Sequence, residues 1–150
     1  MQFENTAALK KYQKKALVPT RWFPATPDME SLFRDAIYDA QWPRGNMGRL
    51  SRNPVELPMG YGRAARQLCT QFFQRAIDIK SVQTVSEPQV KVIRFSHPVN
   101  ADAHLRIQTT LMQCQDDSEN GTRITLGFVV EILGAEHPAC VAQFRVLVRE

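Results

Sequence analysis

The sequence predicts an α+β domain in which one long helix is covered by an antiparallel sheet. Three observations lead there. Residues 61–77 carry a broad apolar stripe at helical spacing. Residues 105–149 hold three long stretches of strict apolar/polar alternation, separated by turn signals. The chain has 150 residues, enough for one core with little room for a second.

The elements follow in order. Residues 1–27 read as a basic N-terminal extension and linker, and residues 28–150 as a single domain. Thr6–Lys15 reads as a short helix with a thin apolar face. The stretch VPTRWFPATPDM has three prolines and is expected to be extended, with Trp22 and Phe23 pinning it to the body. Asp28 offers an N-cap for a helix reaching about Ala40, with Met29, Leu32, Phe33, Ala36 and Ile37 on one face. Residues 41–62 hold four glycines and three prolines with no sustained period. A loop of that length is more often functional than idle. The helix over Tyr61–Ile77 then puts Ala65, Leu68, Cys69, Phe72, Phe73, Ala76 and Ile77 on its stripe. Its width predicts heavy packing against a sheet.

Val90–Phe95 is a short strand. Leu105, Ile107, Thr109 and Leu111 alternate with polar residues. The segment DDSENG turns the chain, ending in an Asn-Gly signal. Thr122 to Ile132 and Cys140 to Val148 then alternate in the same way, with GAEHPA turning between them. The result is a meander with one face on a core.

Composition and charge narrow the function. Apolar residues make up 43% and charged residues 23%, a globular mix that excludes wholesale disorder. No apolar run approaches the ~20 residues of a membrane span, and MQFENTAALKKYQKKALV lacks the apolar centre of a secretory leader. A cytoplasmic protein away from membranes is expected. The formal charge of +4 equals the net charge of residues 1–21. Residues 40–76 carry a further +5 from Arg44, Arg49, Arg52, Arg63, Arg66 and Arg75 against Glu56, and the rest of the body cancels it. Nucleic-acid binding through residues 10–21 is the weaker reading of this charge, because no aromatic stacking pattern accompanies it. Cys69, Cys114 and Cys140 form no CxxC or CxxH pair. Three reduced, mostly buried thiols are expected, with no metal site and no cofactor.

Two stretches resemble a known family. RFSHPVNADAHLRI, residues 94–107, is similar to its Arg-Phe, Pro-Val, Leu-Arg strand entry, and HPACVAQFRVLV, residues 137–148, to its closing strand. With the helix, meander and length, they make the chain resemble the hotdog fold, a curled antiparallel sheet wrapped around a central helix. Within that fold it resembles the MaoC-like (R)-specific enoyl-thioester hydratase and dehydratase group, over about residues 28–149.

The resemblance implies a chemistry. The family places an Asp, and a His five positions later, on the loop after the first helix, in an Asp-x-Asn-Pro-x-His pattern. The pair handles the water added to or removed from the double bond. Asp39 falls at the Asp position, and Arg44 stands at the His position. Arginine cannot accept a proton at neutral pH. The family's His-Gly at the start of the central helix is matched by Met59-Gly60, which places the carbonyl-binding amide at Gly60–Tyr61. Asp102 stands where the family often has glycine. The implied catalytic residues are thus Asp39, Gly60 and Tyr61. Arg44, Arg63 and Arg66 are implied to bind the phosphates of coenzyme A or to face an acidic acyl carrier protein.

Two readings stay open at this point. One is hydration or dehydration of 2-enoyl and 3-hydroxyacyl thioesters, in fatty acid or polyketide metabolism. The other is a non-catalytic structural or binding subunit. Either comes as a homodimer or as a heterodimer with another hotdog subunit. His97 and His104 read as ordinary strand-edge histidines. A thioesterase of this fold would carry an acidic residue on the central helix, and none precedes Asp78.

Overall fold

Three helices and nine strands are found among the residues that the structure, a computed structural model, describes: 1–41, 62–117 and 120–150. In chain order they are β1 (Gln2–Phe3), α1 (Thr6–Lys10), β2 (Lys15–Ala16), β3 (Phe23–Pro24), α2 (Pro27–Gln41), α3 (Arg63–Ala76), β4 (Asp78–Ile79), β5 (Thr84–Val85), β6 (Gln89–Phe95), β7 (His104–Asp117), β8 (Gly121–Ile132) and β9 (Cys140–Arg149).

The main sheet is antiparallel throughout. β7, β8 and β9 form its centre, β2 and β3 share one edge beside β7, and β5 and β6 share the other beside β9. The alternation read from the sequence becomes burial. Ile124, Leu126, Phe128 and Val130 of β8 and Cys140, Ala142, Phe144, Val146 and Val148 of β9 all face the core. In β7 the buried set runs Leu105, Ile107, Thr109, Leu111 and then Cys114. The change of parity falls at a register shift between Leu111 and Gln113, where one extra residue turns the rest of the strand over.

The central helix lies on this face. Leu68, Cys69 and Phe72 are fully buried. A run of aromatic contacts crosses the layers. Phe33 of α2 meets Phe72 at 6.0 Å between ring centroids, Phe72 meets Phe128 edge-on at 6.0 Å, and Phe128 meets Phe144 at 4.9 Å. Offset and edge-on pairs of this kind add to the burial of their large apolar area. The arrangement is the expected α+β hotdog architecture, with α2 packed beside α3.

Several boundaries differ from expectation. The cap of α2 is Thr26, not Asp28. Thr26 Oγ1 accepts from the Met29 N–H at 3.1 Å, and Pro27, having no N–H of its own, takes the first helical position. The central helix begins at Arg63 rather than Tyr61, with Gly62 as its N-cap. β7 extends through Asp117, so the first two residues of the expected DDSENG turn are strand.

Residues 1–27 were expected to be an extension and linker; within them, residues 14–25 run along the β7 edge of the sheet. Lys14, Leu17, Thr20 and Ala25 donate backbone bonds to Leu111, Thr109, Ile107 and Ala103 in turn, at 2.6–3.0 Å. Pro19 and Pro24 have no N–H to offer, which suits an edge and interrupts the ladder there. Phe3, Leu9, Leu17, Phe23 and Ala25 are buried. β1 pairs in parallel with β4 just past the central helix. The lysines therefore stand on packed elements, and Lys10 pairs with Asp116 at 3.6 Å.

Candidate active site

The last turns of α2 and the first turn of α3 converge on a cleft of about 350 Å³. Asp35, Tyr38 and Asp39 line it from α2, at the i, i+3, i+4 spacing that puts them on one face. Arg63, Ala64 and Gln67 line it from α3. Asp39 lies inside α2, near its end, rather than on a loop after it.

Gly62 decides the geometry. A Cβ placed on it would lie 2.8 Å from Asp39 Oδ2, so the carboxylate occupies the space a side chain would need. No side chain caps α3 at this position. The first N–H groups of a helix have no intrahelical partner, and they carry the positive end of its dipole. The structure thus sets a carboxylate against the amino end of the central helix. A carboxylate and the amino end of a helix share one small cleft.

The residues expected here divide. Asp39 and Arg63 line the same cleft. Arg66, one turn on, instead lines a second cleft between the central helix and the β5–β6 edge. Arg44, Gly60 and Tyr61, with Trp42, lie outside the described residues. His97 is exposed, and its Nδ1 lies 2.8 Å from the Pro98 carbonyl oxygen. His104 is exposed at the start of β7. Neither lines the cleft. Sequence reasoning passed over Gly62, Asp35 and Tyr38. The helical spacing of the two α2 residues with Asp39 was the signal that could have found them.

The other reactive groups stay out of the chemistry. Cys69, Cys114 and Cys140 are free and buried. Burial pushes the Cys69 thiol up to about 12 and raises both of the others. Thiols held in that state are poor nucleophiles. Among the described residues, no three His, Cys, Asp or Glu side chains are grouped to hold a metal ion, and no helix is long and apolar enough to cross a membrane. The central helix, RAARQLCTQFFQRA, has no acidic residue.

Comparison with known proteins bears on this cleft. No family model matches the chain. It is 25% identical over 141 residues to a 3-hydroxyacyl-thioester dehydratase Z of Mycobacterium tuberculosis, covering 94% of this chain and 93% of the relative. The dehydratase of the same name from Mycobacterium bovis gives the same figures. The chain is similar to this dehydratase along nearly its whole length. Solved structures agree on the fold. A monoamine oxidase regulatory protein from Archaeoglobus superposes with a TM-score of 0.52 at 13% identity, over 100% of this chain and 97% of that one. An R-hydratase from Pseudomonas aeruginosa gives 0.50 at 11% identity, over 99% and 87%. In this hotdog fold the cleft beside Gly62 is where a helix end and a carboxylate from the neighbouring helix meet.

Proposed function

We propose that this protein binds acyl thioesters and interconverts 3-hydroxyacyl and 2-enoyl thioesters by removing or adding water. The observation that carries the reading is the Asp39 carboxylate set against Gly62 at the amino end of α3. Similarity along nearly the whole chain to a 3-hydroxyacyl-thioester dehydratase supports it.

The chemistry asks for two things. A base must take the proton on the carbon next to the thioester carbonyl, and the negative charge that moves onto the carbonyl oxygen must be held. In the dehydration direction Asp39 takes that proton. The first N–H groups of α3 receive the developing oxyanion. The protonated Asp39 then returns the proton to the departing hydroxyl, which leaves as water while the double bond forms. Hydration runs the same steps backwards. With arginine at position 44, Asp39 serves as both base and acid. Arg63, on the rim of the same cleft, adds positive charge where the enolate forms.

Three buried, unpaired thiols fit a reducing compartment such as the cytoplasm. β6 pairs only with β9 among the described residues, which leaves its outer edge for a second hotdog subunit.

The test compares wild type with Asp39→Asn on crotonyl and longer 2-enoyl thioesters. Turnover is expected to fall about 10²- to 10⁴-fold in the variant, the range for loss of a general acid–base group. Equal rates in the two proteins would remove Asp39 from the mechanism. Arg44 at the expected histidine position favours a second reading, a non-catalytic subunit beside an active hotdog partner. A wild-type chain inactive alone, and active only when mixed with such a partner, would establish that reading instead.

A further inference from the structure

The cleft beside Gly62 has two walls. Asp35, Tyr38 and Asp39 stand on the α2 wall, and Arg63, Ala64 and Gln67 on the α3 wall. Gln67 takes no part in the steps assigned to Asp39. It is half-buried, and its carboxamide has no hydrogen-bond partner among the described residues. The next glutamine along the helix behaves differently. Gln71 Nε2 donates to Asp28 Oδ2 at 2.8 Å and ties α3 to the start of α2. One turn earlier, the same residue type is left open to the cleft. A polar group partly out of water and without a partner is poised to bond to whatever enters.

Position and reach suit Gln67 to a substrate. It lies five residues past Gly62, or about 7.5 Å along the α3 axis from the helix end that faces Asp39. Helical side chains lean back toward the amino end, so Gln67 extends over Arg63 and Ala64. Ala64 is small and buried, which leaves the carboxamide room. In a 3-hydroxyacyl thioester the carbon bearing the hydroxyl is two bonds from the carbonyl carbon. A substrate whose carbonyl oxygen meets the first α3 N–H groups therefore holds its hydroxyl within one helical turn of them, where Gln67 reaches.

The chemical type of the side chain matters as well. A departing hydroxyl accepts a hydrogen bond at its oxygen and donates one through its own hydrogen. Arg63 offers donors only, whereas a carboxamide offers a donor and an acceptor together. A carboxamide does not titrate in the working pH range, so Gln67 leaves the proton transfer to Asp39.

We propose that Gln67 holds the hydroxyl of the substrate, an inference that rests on the dehydratase reading above. Nε2 donates to the hydroxyl oxygen as the carbon–oxygen bond breaks, and Oε1 accepts the hydrogen that oxygen already carries. The electron pair of the broken carbon–hydrogen bond becomes the double bond. The carbon–oxygen pair leaves with the oxygen, and the proton taken by Asp39 completes the water. In hydration the same two contacts fix the attacking water.

Two reactions in deuterated water isolate this role. One is dehydration of 3-hydroxybutyryl coenzyme A. The other is exchange of the hydrogens beside the carbonyl of butyryl coenzyme A, which has no hydroxyl for Gln67 to hold. Both are followed in wild type, Gln67→Ala, Asp39→Asn and Gln71→Ala. In Gln67→Ala the kcat of dehydration is expected to fall about 10²-fold, the worth of one preorganised donor to developing charge, while exchange changes less than about twofold. Asp39→Asn is expected to slow both reactions. Gln71→Ala, outside the cleft, is expected to slow neither. Unchanged dehydration in Gln67→Ala would overturn the proposal. So would an equal loss of dehydration and exchange, which is the mark of a purely structural role. Dehydration that needs Gln67 and is indifferent to Asp39→Asn would defeat the Asp39 mechanism and leave Gln67 in place. Dehydration that needs Asp39 and is indifferent to Gln67→Ala would do the reverse. No turnover of either substrate by wild type would overturn both.

Discussion

Asp39 shows how little of a site a single residue reveals. In the sequence it is one of several carboxylates near the end of a helix, marked only by the resemblance. Its place against Gly62 depends on α2 and α3 crossing at one end, which no local pattern encodes. Other residues make their physics measurable. Thr109 is buried, and its hydroxyl has no hydrogen-bond partner. Replacing a buried, unpaired hydroxyl by a methyl of similar shape removes a desolvation cost. Thr109→Val is expected to stabilise the protein by about 1 kcal/mol in urea unfolding. Glu150 accepts from both Ser81 and Thr6, and these bonds lower its pKa below the ordinary 4.5. A lowered folded pKa gives stability that is present above the unfolded value and lost as pH falls through the folded one. Glu150→Gln should therefore flatten the loss of stability below about pH 4.5. The effect should stay under about 1 kcal/mol, because the group is exposed. The buried thiols have the opposite sign. Their raised pKa values favour the folded state below the unfolded value near pH 9, and that contribution is lost as pH rises further. None should react with a thiol reagent at pH 8 in the native protein, and all three should react after unfolding.

The long elements were legible because each repeats one physical demand many times. β8 and β9 alternate over their whole length, and α3 repeats its stripe over four turns, so the core face is written redundantly. β1 to β5 are each two residues long, and no period can be read from two positions. Lys15 and Ala16 are both exposed, so even their burial carries no signal. They are strands because β7 has an open edge beside them. One glycine is decided at this scale. Gly121 opens β8 at φ +114°, and a Cβ there would lie 2.2 Å from the Val148 carbonyl oxygen. Gly121→Ala combines a disfavoured φ with a collision against backbone. It is expected to cost about 2 kcal/mol or more in thermal or urea unfolding.

At the scale of the molecule, the fold assembles chemistry from distant pieces. Its basic charge looks like a tail and a loop in the sequence, yet the tail is stitched into a sheet edge. Arg66, Arg123 and Arg145, from three separate elements, line one cleft. Neither fact has a linear signature. The open edge of β6 also belongs to this scale. Light scattering is expected to give twice the 17.1 kDa chain mass, or that of a complex with a second hotdog chain.

The most direct measurement follows the proton that Asp39 is assigned to move. Wild type and Asp39→Asn are incubated with a 2-enoyl thioester in deuterated water, and the product is read by NMR. The expected result is a 3-hydroxyacyl thioester carrying one deuterium on the carbon beside the carbonyl, formed by wild type and at least about 10²-fold more slowly by Asp39→Asn. Equal incorporation by both proteins, or none by wild type, would contradict a carboxylate working at the amino end of the central helix.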